Sequence, residues 1–160
     1  LGKVSVSTAT TGGAALAATM LSTGDAPELK GTVRSSRLFA AGGATVLVNP
    51  EHEMLTNGPL GTDGVLAALA DNGALLVVEG TVGAVDNRRV FHADCPVTVL
   101  IEEGTVSYSA PAPATIRLAV KVKPAAVQLD GKRTKAWQFD KKTSEISIAV
   151  KEGRGRIEVE

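Results

Sequence analysis

An antiparallel β-sandwich of about 10–12 strands, with at most one or two short helices, is the all-β fold this sequence predicts. Three observations carry that expectation. Small and β-branched residues (Ala, Val, Gly, Thr) are abundant while aromatics make up 3% of the 160 residues, a supply that suits a pleated surface better than a helix. Apolar and polar residues alternate with period two in segment after segment. Those segments recur about every 8–12 residues, with turn residues between them.

Taken in order, Val4-Ser5-Val6-Ser7-Thr8 alternates as a half-buried strand should. Residues 14–21 (AALAATML) and 65–70 (VLAALA) are good helix formers by propensity, but each is too short to be stable alone, and for residues 14–21 helix and strand both stay open. Residues 32–39 and 44–48 follow as strands, turned by Ala41-Gly42-Gly43. Residues 49–64, with two prolines and several glycines, form the longest loop candidate, a place where function often sits. The almost continuous apolar run 73–82 (GALLVVEGTV) belongs on a central strand. Residues 90–93, 96–102 and 105–109 come next, Gly104 turning the last two into a hairpin. Alternation over 115–122 and 126–129, the Asp130-Gly131 turn dipeptide, and strands at 136–140, 145–150 and 156–159 predict a closing meander, with Gly153 and Gly155 in its last turn.

A hydrophobic fraction of 44% is enough for one domain, spanning 1–160, to bury a core without metal or disulfide help. Seventeen basic and 17 acidic residues balance, so the chain lacks the positive footprint a nucleic-acid binder needs; Arg88-Arg89 and Lys132-Arg133 read as solvated turns. No apolar stretch has the length of about 20 residues that a membrane helix requires, so neither nucleic acid nor membrane is expected as a partner. Cys95 is the only cysteine, which excludes an intrachain disulfide. The chain opens on Leu1 without a signal-peptide pattern, so the expectation is a processed product or a piece of a longer polypeptide.

Candidate chemistry is sparse. His52, in Glu51-His52-Glu53, and His92, three residues before Cys95, are the only histidines. Either could ligate a metal, and a site would have to bring the two together; zinc needs three or four ligands, so solvated or packed histidines are the plainer reading. Asn57, Asp63, Asp71, Asn72, Asp86 and Asn87 raise calcium, but without an EF-hand spacing they read first as turn formers, and no cofactor is the expectation. Sugar binding generally uses exposed aromatic faces. Trp137 and Tyr108 are the single tryptophan and tyrosine, and period two puts Trp137 and Phe139 on one face, either filling the core or offering a stacking platform. Phosphate-cradling glycine loops, GxSxG and P-loop patterns are absent, and no catalytic residue is assigned.

From Arg89 onward the order of segments resembles a known family. Arg89-Val90-Phe91-His92-Ala93-Asp94-Cys95-Pro96-Val97-Thr98-Val99 is similar to a passage in the β-sandwich domains of heparinase II/III-like polysaccharide lyases. Val127-Gln128-Leu129-Asp130-Gly131-Lys132, Trp137-Gln138-Phe139-Asp140, Ile146-Ser147-Ile148 and Gly153-Arg154-Gly155-Arg156-Ile157-Glu158-Val159 resemble the closing strands of C-terminal modules in such enzymes. The resemblance implies a non-catalytic accessory module of a secreted or periplasmic, bacterial, polysaccharide-degrading protein, its partner the catalytic domain of the same polypeptide and its ligand, if any, a polysaccharide. The family's catalytic residues lie mainly in a helical toroid and the adjoining sheet domain; this sequence has no counterpart of the toroid, so none is carried over. A free-standing carbohydrate-binding or adhesion module using Trp137 and Tyr108, and a small metal-dependent enzyme using His52 and His92, are the alternatives.

Overall fold

The computed structural model describes residues 5–11, 14–20, 32–33, 38–41 and 43–160; Val4, Leu21, the stretch 34–37 and Gly42, which belong to the expected strands and turn, lie outside the described residues. The chain divides into two compact units, Leu1–Lys30 and Gly31–Glu160. The first holds a hairpin in which β1 (Ser5–Thr11) pairs antiparallel with β2 (Ala14–Met20), from Ser5 opposite Met20 to Thr11 opposite Ala14. The alanine-rich β2 is therefore a strand: cross-strand pairing along its whole length outweighs a propensity difference of a few tenths of a kcal/mol per residue (~0.5).

The second unit is all-β and antiparallel. Its strands are β3 (Thr32–Val33), β4 (Leu38–Ala41), β5 (Ala44–Val48), β6 (Leu55–Asn57), β7 (Leu60–Thr62), β8 (Leu66–Ala70), β9 (Leu75–Val85), β10 (Arg88–Glu102), β11 (Thr105–Ala110), β12 (Ala114–Ala119), β13 (Val127–Leu129), β14 (Lys132–Arg133), β15 (Trp137–Asp140), β16 (Glu145–Val150) and β17 (Gly153–Val159). Hydrogen bonding joins them into one 15-stranded sheet that folds over itself. The fold lies in β9 and β10, each long enough to serve both layers. The first half of β9 and the last half of β10 belong to layer one, in the order β14-β13-β17-β11-β10-β9-β8-β5-β4-β3. Their other halves belong to layer two, where β10 pairs with β12, β12 with β16, β16 with β15, and β9 with β7 and β7 with β6. Strands that switch sheets at bulges are how a sandwich turns a corner. The register of β9 against β10 slips between His92 and Val97, where Pro96 has no N–H to give the ladder.

The opposing side of the corner explains its glycines. The Asp63 carboxylate accepts the backbone N–H groups of Thr81 and Val82, both at 2.8 Å, and the Thr81 hydroxyl. The Thr62 hydroxyl donates to the Val82 carbonyl at 2.8 Å and accepts the Gly64 N–H at 2.9 Å. Gly64 and Gly80 then pass backbone against backbone: a Cβ on Gly64 would stand 2.5 Å from the Val78 carbonyl oxygen, and one on Gly80 would stand 2.9 Å from the Gly64 Cα.

Between the layers lies a single aliphatic core. Layer one contributes Leu47, Val77, Val99, Val106 and Ile157, and layer two Leu60, Phe91, Ile116, Ile146 and Ile148. Among the described residues Phe91 is the largest side chain fully enclosed, in keeping with a chain so poor in aromatics.

Several expectations are met. Residues 75–82 of the run 73–82 lie on β9, inside the sheet between β8 and β10, while Gly73 and Ala74 belong to the turn before it. Gly104 (φ 70°) closes the β10–β11 hairpin, and Asp130 and Gly131 (φ 53° and 73°) make the β13–β14 turn. Others are corrected. Residues 66–70 are β8, hydrogen-bonded on both sides, not a helix. The segment 49–64 is not one loop but carries the β6–β7 hairpin. The separate strands expected at 90–93 and 96–102 are one bent strand, β10. The closing third is not a meander: β12, β15 and β16 lie in layer two while β13, β14 and β17 return to layer one, because alternation fixes a strand's buried face but not its neighbour. Gly155 is not in a turn but within β17, opposite Tyr108, whose ring lies over it; a Cβ there would stand 2.5 Å from the ring carbon bearing the hydroxyl.

Candidate functional site

A shallow groove of about 420 Å³ opens on layer one beside the corner, lined by His52, Glu79, Pro96, Val97, Thr98, Ser109, Ala110 and Pro111. Its floor follows from register. Thr98 and Ser109 are directly paired across β10 and β11, on the face opposite the buried Val97, Val99, Tyr108 and Ala110, so their hydroxyls sit side by side and outward.

Glu79 enters through a bulge. Three steps on β9, from Val77 to Gly80, face two on β10, from Val99 to Val97, and the extra residue takes φ 51°. Its N–H donates to the Thr98 hydroxyl oxygen at 3.2 Å. His52 comes from the short stretch between β5 and β6 and is also left-handed, at φ 55°. Asn49, fully buried, shapes that stretch: its Nδ2 donates to the Glu53 carbonyl at 2.8 Å and to the Gly64 carbonyl at 3.1 Å. Among the described residues the four other non-glycine residues with positive φ (Asp86, Asn87, Asp130 and Ser144) lie in tight turns between strands, where the turn itself calls for it. His52 and Glu79 are the pair that face the same groove.

His92 lies elsewhere. It points outward from layer two between the buried Phe91 and Ala93, and its Nδ1 stands 3.1 Å from the Arg117 guanidinium. Arg117 can only donate, so that nitrogen accepts and the ring's proton is on Nε2. Asp94, two residues on, accepts the Thr115 N–H at 2.8 Å. The Thr115 backbone and hydroxyl hold its carboxyl below the ordinary carboxylate value, with Arg117 assisting. His52 and His92 thus serve opposite layers, and among the described residues no group of three or more His, Cys, Asp or Glu could hold a metal ion.

The aromatic candidates face inward. Tyr108 is buried against Gly155, and burial, with Asp130 nearby, pushes its phenol up from its ordinary value. Trp137 and Phe139 are half-buried on edge strand β15, paired with Ile148 and Ile146 and packed against the core. Cys95 is half-buried against the same core. The Asx residues weighed for calcium are spread among separate turns: Asp63 clamps the corner, Asn72 accepts the Ala74 N–H at 3.0 Å, and Asp86 and Asn87 turn β9 into β10.

Sequence reasoning did not single out Glu79, Thr98 or Ser109. A signal existed: the Glu79-Gly80 pair interrupts an otherwise apolar strand, and a glycine inside a strand marks a bulge or a close backbone approach. The fold and groove define an antiparallel β-sandwich with a small polar cleft at its corner. Neither a protein-family model nor a curated protein matches the chain. No helix among the described residues is long and apolar enough to cross a membrane.

Proposed function

We propose that this chain is a non-catalytic accessory module of a secreted or periplasmic polysaccharide-degrading protein of the heparinase II/III-like kind, and that it packs against a catalytic domain of the same polypeptide. The observation that carries the reading is the outward face of layer one. There Val46 and Val48 of β5, Leu66 and Ala68 of β8, Leu76 and Val78 of β9, and Leu100 of β10 lie side by side in register. All are half-buried, and none is polar. An antiparallel sheet that faces water on one side normally alternates apolar-in with polar-out. A sheet apolar on both faces is suited to a neighbour on each, and contiguous apolar patches of this kind mark interaction surfaces. The resemblance of the β10, β13 and β15–β17 segments to lyase sandwich modules supplies the kind of neighbour.

Leu76→Glu together with Leu66→Glu tests it in the full-length polypeptide. The expected outcome is faster amide exchange on layer one and on the catalytic domain's facing surface, with reduced depolymerisation of polysaccharide. Exchange and activity equal to the parent's would overturn the reading.

A further inference from the structure

The groove beside the corner has a chemistry of its own. Glu79 offers a carboxylate that only accepts hydrogen bonds; Thr98 and Ser109 offer hydroxyls that donate and accept; a neutral His52 offers one of each. The Thr98 oxygen already accepts the Glu79 N–H, which leaves its hydroxyl hydrogen to be donated. Among the described residues no lysine or arginine lines the groove, so an anionic ligand would meet Glu79 without a countercharge from them. One imidazole and one carboxylate are too few for a zinc or calcium ion. A wholly apolar ligand would strip water from four polar side chains and give nothing back. What remains is a ligand whose own groups are hydroxyls and whose flat faces are C–H. Pro96 and Pro111, both exposed, provide apolar walls for such a face. The volume of about 420 Å³ falls at the small end of ligand clefts, roughly 300–1,000 Å³.

Backbone conformation points the same way. Left-handed φ at a glutamate and a histidine is held against its cost by the surrounding structure, and such residues gather at ligand sites. We propose that this groove is a binding subsite for one neutral hexopyranosyl unit of a glycan, with Glu79, Thr98, Ser109 and His52 bonding its hydroxyls and the two prolines covering one face of its ring. The subsite adjoins the outward apolar face, since Thr98 stands two residues from Leu100 on the same side of β10, but its lining residues all come from this chain.

The test is NMR titration of the ¹⁵N-labelled chain with the methyl pyranosides of glucose, galactose and mannose, and with methyl glucuronide. At least one neutral glycoside is expected to shift the His52, Glu79, Thr98 and Ser109 amides saturably, with millimolar affinity on the order of 1–10 mM for so few contacts in an open groove. Methyl glucuronide is expected to bind about tenfold more weakly, because its carboxylate opposes Glu79. Glu79→Gly is expected to keep the fold, since glycine accepts φ 51° freely, and to lower affinity about fivefold or more. Ser109→Ala removes one hydroxyl from a half-buried outward position and gives the same readout should the bulge variant not fold. The proposal is overturned if no neutral glycoside shifts these amides, if both variants bind as the parent does, or if the glucuronide binds equally well. Any of these leaves the docking reading standing, because docking is read by exchange in the full polypeptide.

Discussion

The two layers share an interior and differ outside. Followed strand by strand, the outward row of layer one runs Val46, Ala68, Leu76, Leu100, and turns polar only at Ser107 and Arg156. The matching row of layer two runs Val82, His92, Arg117, Ser147, Gln138. Both rows sit one residue from buried or half-buried core positions, so the same period of two hides opposite exteriors. Layer two alternates as a water-facing sheet does, whereas layer one is apolar on both sides through β5, β8 and β9. The difference separates two things a strand pattern carries: which residues share a face, and what that face is built to meet.

The largest expected effect comes from breaking the joint that holds the two layers to one core. Gly80→Val places a Cβ 2.8 Å from the Val77 Cγ1 and 2.9 Å from the Gly64 Cα and N, and a backbone cannot swing aside as a side chain can. We expect a loss of about 3–5 kcal/mol, or failure to fold, read as a shift of the urea midpoint. Gly73→Ala is the companion measurement. Nothing lies within 4 Å of a Cβ there, so only its φ of 84° opposes the change, at about 1–2 kcal/mol. Equal losses at the two sites would mean that the close approach of Gly64 and Gly80 contributes nothing beyond glycine's backbone freedom.

Much of the fold was legible because its signals are local. Gly104 and Asp130-Gly131 mark their hairpins by turn chemistry alone, and the apolar run through Leu75–Val85 identifies a strand inside the sheet, paired on both edges. Strand neighbours were not legible. Nothing in the alternation of Gly153–Val159 says that it leaves β16 for β11 and β13, since inward residues look the same against either partner. The helical composition of Leu66–Ala70 misleads for a related reason: its place between β5 and β9 is a tertiary fact. The groove was only half legible. His52 stands out as one of two histidines, but Glu79 acquires its position from a bulge set by the register of β9 against β10.

An intermediate effect separates the layers by pH from the alkaline side. Tyr108 belongs to the inner face of layer one, and burial raises its phenol, with Asp130 adding to the shift. A raised folded-state value for an acid means that the native state favours the neutral phenol. That stability is complete below the ordinary value of about 10 and is lost as pH rises through the folded value. Tyr108→Phe keeps the ring over Gly155 and removes the ionisation, so the variant should lose less stability than the parent between pH 9 and pH 12 (~3 units spanning the transition). At neutral pH the substitution should cost less than about 1.5 kcal/mol. Identical alkaline unfolding curves for parent and variant would show that the phenol titrates without unfolding the sheet, and that the inner face of layer one is looser than its packing on Gly155 indicates.

The smallest effect belongs to the outward face of layer two, and its sign is opposite. Asp94 is exposed, and its carboxyl is lowered first by the Thr115 backbone N–H, then by the Thr115 hydroxyl, with Arg117 contributing. A carboxylate favoured in the native state contributes stability above its ordinary value of 3.8, and that contribution disappears as pH falls through the lowered one. Asp94→Asn keeps an oxygen that can accept the Thr115 N–H but cannot titrate, so the acid unfolding midpoint should move slightly and lose part of its pH dependence. Solvent screening limits the size of the effect at so exposed a site, and added salt should reduce the Arg117 share before the hydrogen-bond share. If Asp94→Asn and Arg117→Ala each leave acid unfolding unchanged, the polar row of layer two contributes solubility rather than stability. The contrast between the faces would then rest on the apolar row alone.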